Sequence, residues 1–141
     1  MTDQTALALS AELLVELELV KRLKYHYMRC IDLKLWDELV DVFTADATAS
    51  YSGGTHSFKG RDAIIGFLRE SMSSDGFHSS HRVHHPEIDF LSETEAVGRW
   101  ALDDTVVIED FQVTVRGSAY YEDRYVKTDA GWRFTGWGVD A

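Results

Sequence analysis

The sequence predicts an α+β fold, with N-terminal helices packed on one face of a curved, mainly antiparallel sheet. Three observations predict it. Apolar residues recur at spacings of three and four through the first third of the chain. From Ala96 onward the dominant pattern is alternation with period two. Turn-forming clusters, Ser52-Gly53-Gly54, Ser92-Glu93-Thr94 and Asp129-Ala130-Gly131, separate the later runs and join neighbouring strands as hairpins. A sheet curved over helices encloses a cone whose open end is a pocket.

Ser10 is the expected N-cap of a long first helix. Leu13, Leu17, Val20, Leu23, Tyr27 and Ile31 form its apolar stripe, so Tyr27 points inward. Asp32 lies off that stripe, because five residues at about 100° each turn a side chain roughly 140° away. It either faces water or stands where the helix breaks, capping backbone N–H groups or facing the interior. Trp36, Leu39, Val40 and Phe43 make a short second amphipathic helix. Thr48 to Tyr51 reads as a strand returning through His56-Ser57-Phe58. Gly60-Arg61-Asp62 opens a third helix with Ile64, Phe67, Leu68 and Met72 inside.

A histidine-rich stretch, Phe77 to Glu87, comes next, and Ile88 to Leu91 is the next strand. On Ala96 to Val107, one face carries Ala96, Gly98, Trp100, Leu102 and Asp104. A carboxylate closing an apolar face is a conflict of the kind found at functional sites, unless the strand has already ended there and Asp104 is solvated. Phe111–Val115 and Ala119–Lys127 read as two strands around Arg116-Gly117-Ser118, and Trp132–Val139 as the last. The chain reads as one domain over residues 1–141, without linker or repeat.

Composition narrows the function. Hydrophobic residues make up 45% of the chain, enough to offset the entropy of ordering it. The formal net charge is -10 and the 14 Lys and Arg are scattered, so nucleic acid and anionic membranes are poor partners. Cys30 is the single cysteine, which rules out an internal disulfide and a cysteine-rich zinc site. Glu12, Glu16 and Glu18 interrupt the first apolar run, so it is neither a signal peptide nor a membrane span, and the cytoplasm is the expected location.

Four of the six histidines lie between Phe77 and Ile88. Imidazole titrates near neutrality, so His81 is a candidate to take and return a proton. His78, His81, His84 and His85 also admit a metal-cluster reading, although no partner ligands stand at the usual spacing. Pro86 is expected to hold His85 in extended geometry.

The runs Tyr27-Met28-Arg29-Cys30-Ile31-Asp32, Ser50-Tyr51-Ser52, His81 with His84-His85-Pro86-Glu87-Ile88, Gly98 to Asp104, and Ala119 to Tyr125 together resemble the SnoaL-like family. That family sits in the superfamily of nuclear transport factor two, scytalone dehydratase and ketosteroid isomerase, and these runs look most similar to those of bile acid 7α-dehydratases. The resemblance implies a cone-shaped α+β barrel, a lyase of the dehydratase type, no cofactor, a hydrophobic small-molecule substrate and a homo-oligomer, a trimer before a dimer. It places catalytic roles on Tyr27, Asp32, Tyr51, His81 and Asp104, with Trp100, Tyr121 and His84 lining the substrate pocket. Such dehydratases carry an arginine just beyond the last strand, and none stands in Val139-Asp140-Ala141. The same pocket also suits an isomerase, a cyclase or a dehydrohalogenase. A non-catalytic binding or assembly module is the other reading, with Tyr120, Tyr121, Tyr125, Trp132 or Trp137 on an exposed face.

Overall fold

Ser10 caps the first helix as expected: its hydroxyl accepts the Leu13 N–H at 3.2 Å. A computed structural model describes residues 6–51, 54 and 56–140. Helix α1 runs Ala11–Asp32 and buries Val20, Leu23, Lys24, Tyr27, Met28, Cys30 and Ile31. It stops where Lys34 enters the left-handed region at φ 59°. Helix α2 (Trp36–Leu39) continues as a 3₁₀ turn over Val40–Val42. Strand β1 (Phe43–Tyr51) starts five residues earlier than the pattern indicated and pairs antiparallel with β2 (His56–Lys59). The turn read at Ser52-Gly53-Gly54 lies in part outside the described residues. Helix α3 (Arg61–Met72) buries Ile64, Leu68 and Met72.

Three long strands follow. Strand β3 (Phe77–Phe90) includes the whole histidine stretch, which the sequence had not marked as strand. Its register with β4 (Glu95–Ile108) shifts between His84 and Glu87, a bulge that admits Pro86. His85 takes φ 52° there, against the extended geometry expected before proline. Strand β5 (Val113–Thr128) is continuous through Arg116-Gly117-Ser118, where two separate strands were expected. Strand β6 is Gly131–Asp140, and Gly131 turns the hairpin at φ 114°.

The sheet order is β2-β1-β6-β5-β4-β3, with one parallel pairing, β1 on β6. The helices lie on its inner face: α1 against β3 and β6, α3 against β1 and β2. The core is strongly aromatic, with Phe43, Trp100, Tyr121, Tyr125, Phe134 and Trp137 all buried. Each side chain of this size contributes about 1.5–3 kcal/mol by leaving water. Four of the aromatics proposed for an assembly face are therefore core: Tyr121, Tyr125, Trp132 and Trp137 are buried, and only Tyr120 is exposed.

Candidate active site

The C-terminus of α1 and the first half of β3 meet at one carboxylate. Asp32 is the last residue of α1, and it faces β3 rather than water or a neighbouring helix end. Its Oδ1 accepts from the Ser79 hydroxyl at 2.9 Å and lies 2.7 Å from His81 Nδ1. Its Oδ2 accepts the His81 backbone N–H at 2.9 Å, and Arg82 Nη1 approaches the same oxygen at 3.8 Å. Strand parity explains the arrangement. Phe77, Ser79, His81 and Val83 share one face of β3, the face toward α1. The His81 and Asp32 side chains are only 12% and 15% exposed, so the pair is shielded but reachable.

An ionised carboxylate only accepts hydrogen bonds. The Nδ1 of a neutral His81 therefore carries the proton, and its Nε2 presents a lone pair. This is the arrangement that makes imidazole a base of fixed orientation. A crevice of about 550 Å³ between α1 and β3 reaches the pair, lined by Tyr25, Met28, Arg29, Asp32, His81 and Val83 among others.

The other expected residues divide into two groups. Asp104 stands directly opposite His81 in the β3–β4 register and shares its face of the sheet, half-buried. Strand β4 has not ended there, so the solvated alternative is set aside. Tyr27, Tyr51 and Tyr121 gather instead around Trp137, at ring-centroid distances of 4.5, 6.4 and 6.2 Å. Tyr51 accepts the Trp137 indole N–H at 3.1 Å. Burial pushes the Tyr27 and Tyr121 phenols well above their usual range, and each feels the Tyr51 phenol beside it. Asp104 adds to the rise at Tyr121, so the two groups sense one another. Tyr27, Tyr51 and Asp104 do not line the α1–β3 crevice. Trp100 is buried and donates its N–H to the Tyr125 hydroxyl at 2.9 Å.

His84 is a correction. It stands on the outer face beside the exposed Asp103, 3.3 Å away, and not on the side of His81 that faces the helices. His78 likewise meets Glu109 at 2.9 Å. His78, His81 and His84 thus separate onto different carboxylates, and among the described residues no three His, Cys, Asp or Glu side chains gather as a metal site.

Sequence reasoning missed one buried pair. Lys24 Nζ lies 2.9 Å from Asp123 Oδ2, with both side chains fully buried. Asp123 also accepts the Tyr125 hydroxyl at 2.7 Å, and Lys24 Nζ sits 3.4 Å from the Tyr121 ring centroid. A signal existed. Lys24 is four residues after Val20 and three before Tyr27, and Asp123 alternates with Tyr121 and Tyr125. Gly98 makes room for this network, since a Cβ there would meet the Tyr125 hydroxyl at 2.9 Å.

Fold and site together define a cone of helices on a curved, unclosed six-stranded sheet, with an oriented imidazole between α1 and β3. The chain belongs to the SnoaL-like domain family, whose match spans residues 12–138. A candidate scytalone dehydratase from Novosphingobium aromaticivorans DSM 12444 is similar at 28% identity and a TM-score of 0.83, over 90% of this chain and 84% of that one. LinA superposes with a TM-score of 0.80 at 16% identity, over 91% of this chain and 86% of its own. A hexachlorocyclohexane dehydrochlorinase, LinA-type3, from Novosphingobium barchaimii LL02 gives a TM-score of 0.80 at 15% identity, over 91% and 87%. The cone fold of the nuclear transport factor two and scytalone dehydratase superfamily is therefore shown. Among the described residues no helix is long and apolar enough to cross a membrane.

Proposed function

We propose that this protein is a cofactor-independent carbon–oxygen lyase, a dehydratase acting on a hydrophobic hydroxylated ring compound of steroid, terpenoid or polyketide type. The observation that carries the reading is the Asp32–His81 pair, in which one carboxylate holds both the ring and the backbone of the histidine. The SnoaL-like membership and the similarity to a candidate scytalone dehydratase support it. So does the resemblance of the Tyr27–Asp32 and His81–Ile88 runs to bile acid 7α-dehydratases.

In this scheme His81 Nε2 takes a proton from the carbon next to a carbonyl, and the C–H electron pair becomes an enolate. Asp32 stabilises the imidazolium that results. The enolate then re-forms the carbonyl and expels the hydroxyl two carbons away, which leaves as water with the proton that His81 returns. A new carbon–carbon double bond remains and His81 is neutral again. Tyr51 accepts the Trp137 N–H and carries an O–H of its own, which the scheme asks a substrate to reach from the α1–β3 crevice. Tyr27, buried among aromatic rings beside Tyr121 and outside that crevice, stays protonated. The same base serves loss of a halide, an isomerisation or a cyclisation, and the substrate then decides the outcome. The cytoplasm and a homotrimer complete the proposal. Phe111, Val113 and Val115, exposed at the β4–β5 end of the sheet, offer apolar surface for such an assembly.

The test is His81→Ala assayed on a panel of hydroxylated enones, with circular dichroism as the fold control. Turnover is expected to fall by about 10²–10⁴ with the fold kept. An unchanged rate on a confirmed substrate removes His81 from the reaction.

A further inference from the structure

Three residues stand in one row across three strands. His81 on β3 faces Asp104 on β4, and Asp104 faces Gly117 on β5. Residues directly opposite share a face of the sheet, with Cβ atoms about 4.5–5.5 Å apart. Asp104 thus has an imidazole on one side and a glycine on the other. Its carboxylate lies on the glycine side: a Cβ built on Gly117 would meet Asp104 Oδ1 at 2.6 Å, closer than a side-chain carbon can stand. The oxygen occupies the place where any other residue would carry its side chain.

Gly117 is not there for its backbone. Its φ lies outside the positive range that favours glycine, and the strand runs unbroken through it. Glycine inside a strand weakens it by roughly 0.5–1 kcal/mol against alanine, and often marks a close approach. Here the approaching group is the Asp104 carboxylate. Its charge is felt on β5, at the Tyr121 phenol four residues further along the same face.

The groups around His81 give this lean its meaning. Asp32 and Arg29 face it from α1, Ser79 and Arg82 flank it on β3, and Asp104 stands opposite on β4. Asp32 already holds Nδ1. A second carboxylate against the ring would favour the imidazolium and remove the lone pair that a base needs.

We propose that Gly117 is a positioning residue: the space left by its missing side chain seats the Asp104 carboxylate away from His81, so that the imidazole answers to Asp32 alone. The consequence for catalysis rests on the base assigned to His81 above. The seat itself does not, and it is tested without turnover.

The experiment follows the ring protons of His81 by NMR across a pH titration of the full chain, with the signal assigned by its loss in His81→Gln. Four proteins are compared: unsubstituted, Gly117→Ala, Asp104→Asn, and the double variant. In Gly117→Ala the carboxylate is displaced toward β3, and His81 binds its proton about tenfold more tightly than in the unsubstituted protein. In Gly117→Ala/Asp104→Asn that gain disappears, because the displaced group no longer carries charge. Gly117 is exposed and its substitution suits a strand, so folding is expected, with thermal unfolding as the check. Asp104→Glu, whose longer arm overfills the seat, should move His81 the same way and replaces Gly117→Ala if that variant fails to fold. No change in either variant overturns the seat, and so does a gain that persists in the double variant. A failed titration leaves the His81→Ala turnover result untouched, whereas an active His81→Ala enzyme overturns the base and leaves the titration standing.

Discussion

Asp32 binds His81 at two points, the ring Nδ1 2.7 Å from one carboxylate oxygen and the backbone N–H 2.9 Å from the other. A single side chain therefore fixes both where the histidine sits and which nitrogen carries its proton. In Asp32→Asn, one acceptor oxygen and one NH₂ group must serve the ring N–H, the backbone N–H and the Ser79 hydroxyl. With the NH₂ toward the ring, Nδ1 must accept, and the proton moves to Nε2. We expect turnover to fall by about 10²–10⁴, the usual worth of a positioned base. Imidazole ¹⁵N shifts should show the switch of tautomer. A normal tautomer with full turnover would remove Asp32 from the proposed roles.

The Lys24–Asp123 pair makes a prediction about stability. Burial pushes the Lys24 ammonium down and the Asp123 carboxyl up, each toward its neutral form, and the pairing opposes both. At neutral pH the pair is thus expensive to bury, and one Asp123 oxygen has no hydrogen-bond partner among the described residues. Lys24→Met leaves a buried carboxylate alone, which typically costs about 3–5 kcal/mol. Lys24→Met/Asp123→Asn keeps an acceptor for the Tyr125 hydroxyl and removes both charges. Urea unfolding should place this double variant close to the unsubstituted protein. If the double variant is as unstable as Lys24→Met, the buried charge is not the source of the loss.

The same pair shows where sequence reading stopped. The stripe Val20, Leu23, Tyr27, Ile31 located the buried face of α1, and alternation located the inner face of β4, including Asp104. Both patterns are strong because one face is apolar and the other is not. Lys24 lies on that buried face, but a lysine reads as solvated until its partner, 99 positions away in sequence, is known. Between His78 and His85 every residue except Val83 is polar, so period two is invisible and β3 is too. Gly117-Ser118 reads as a turn because both are turn-forming residues, and they interrupt the alternation that Val113 and Val115 begin. The assembly-module reading has Trp132 or Trp137 on an exposed face, whereas Trp132 packs on Phe90 and Trp137 on Tyr27, and both are buried. The resemblance puts Asp32, Asp104 and His81 in one site without saying which carboxylate holds the ring; the structure gives Nδ1 to Asp32. No local pattern joins residues 49 positions apart.

A third prediction concerns acid. Glu16, on the N-terminal half of α1, accepts from Lys127 on β5 and from the Trp132 indole on β6, the latter at 2.7 Å. The Lys127 bond and then the Trp132 bond hold its carboxyl below the usual range, with burial working against them. A carboxyl whose pKa is depressed by folding binds protons more readily when unfolded. Its contribution is therefore complete above the ordinary glutamate value and is lost as pH falls through the lower folded value. Glu16→Gln keeps an acceptor for Trp132 but not the charge facing a part-exposed Lys127. The expected loss at pH 7 is about 0.2–1 kcal/mol, the range for a screened ion pair. Urea titrations at pH 7 and near pH 3 should show the two proteins separating at the first and converging at the second. A gap that stays constant on acidification would mean that the neutral bond to Trp132, and not the carboxylate charge, ties α1 to the β5–β6 hairpin.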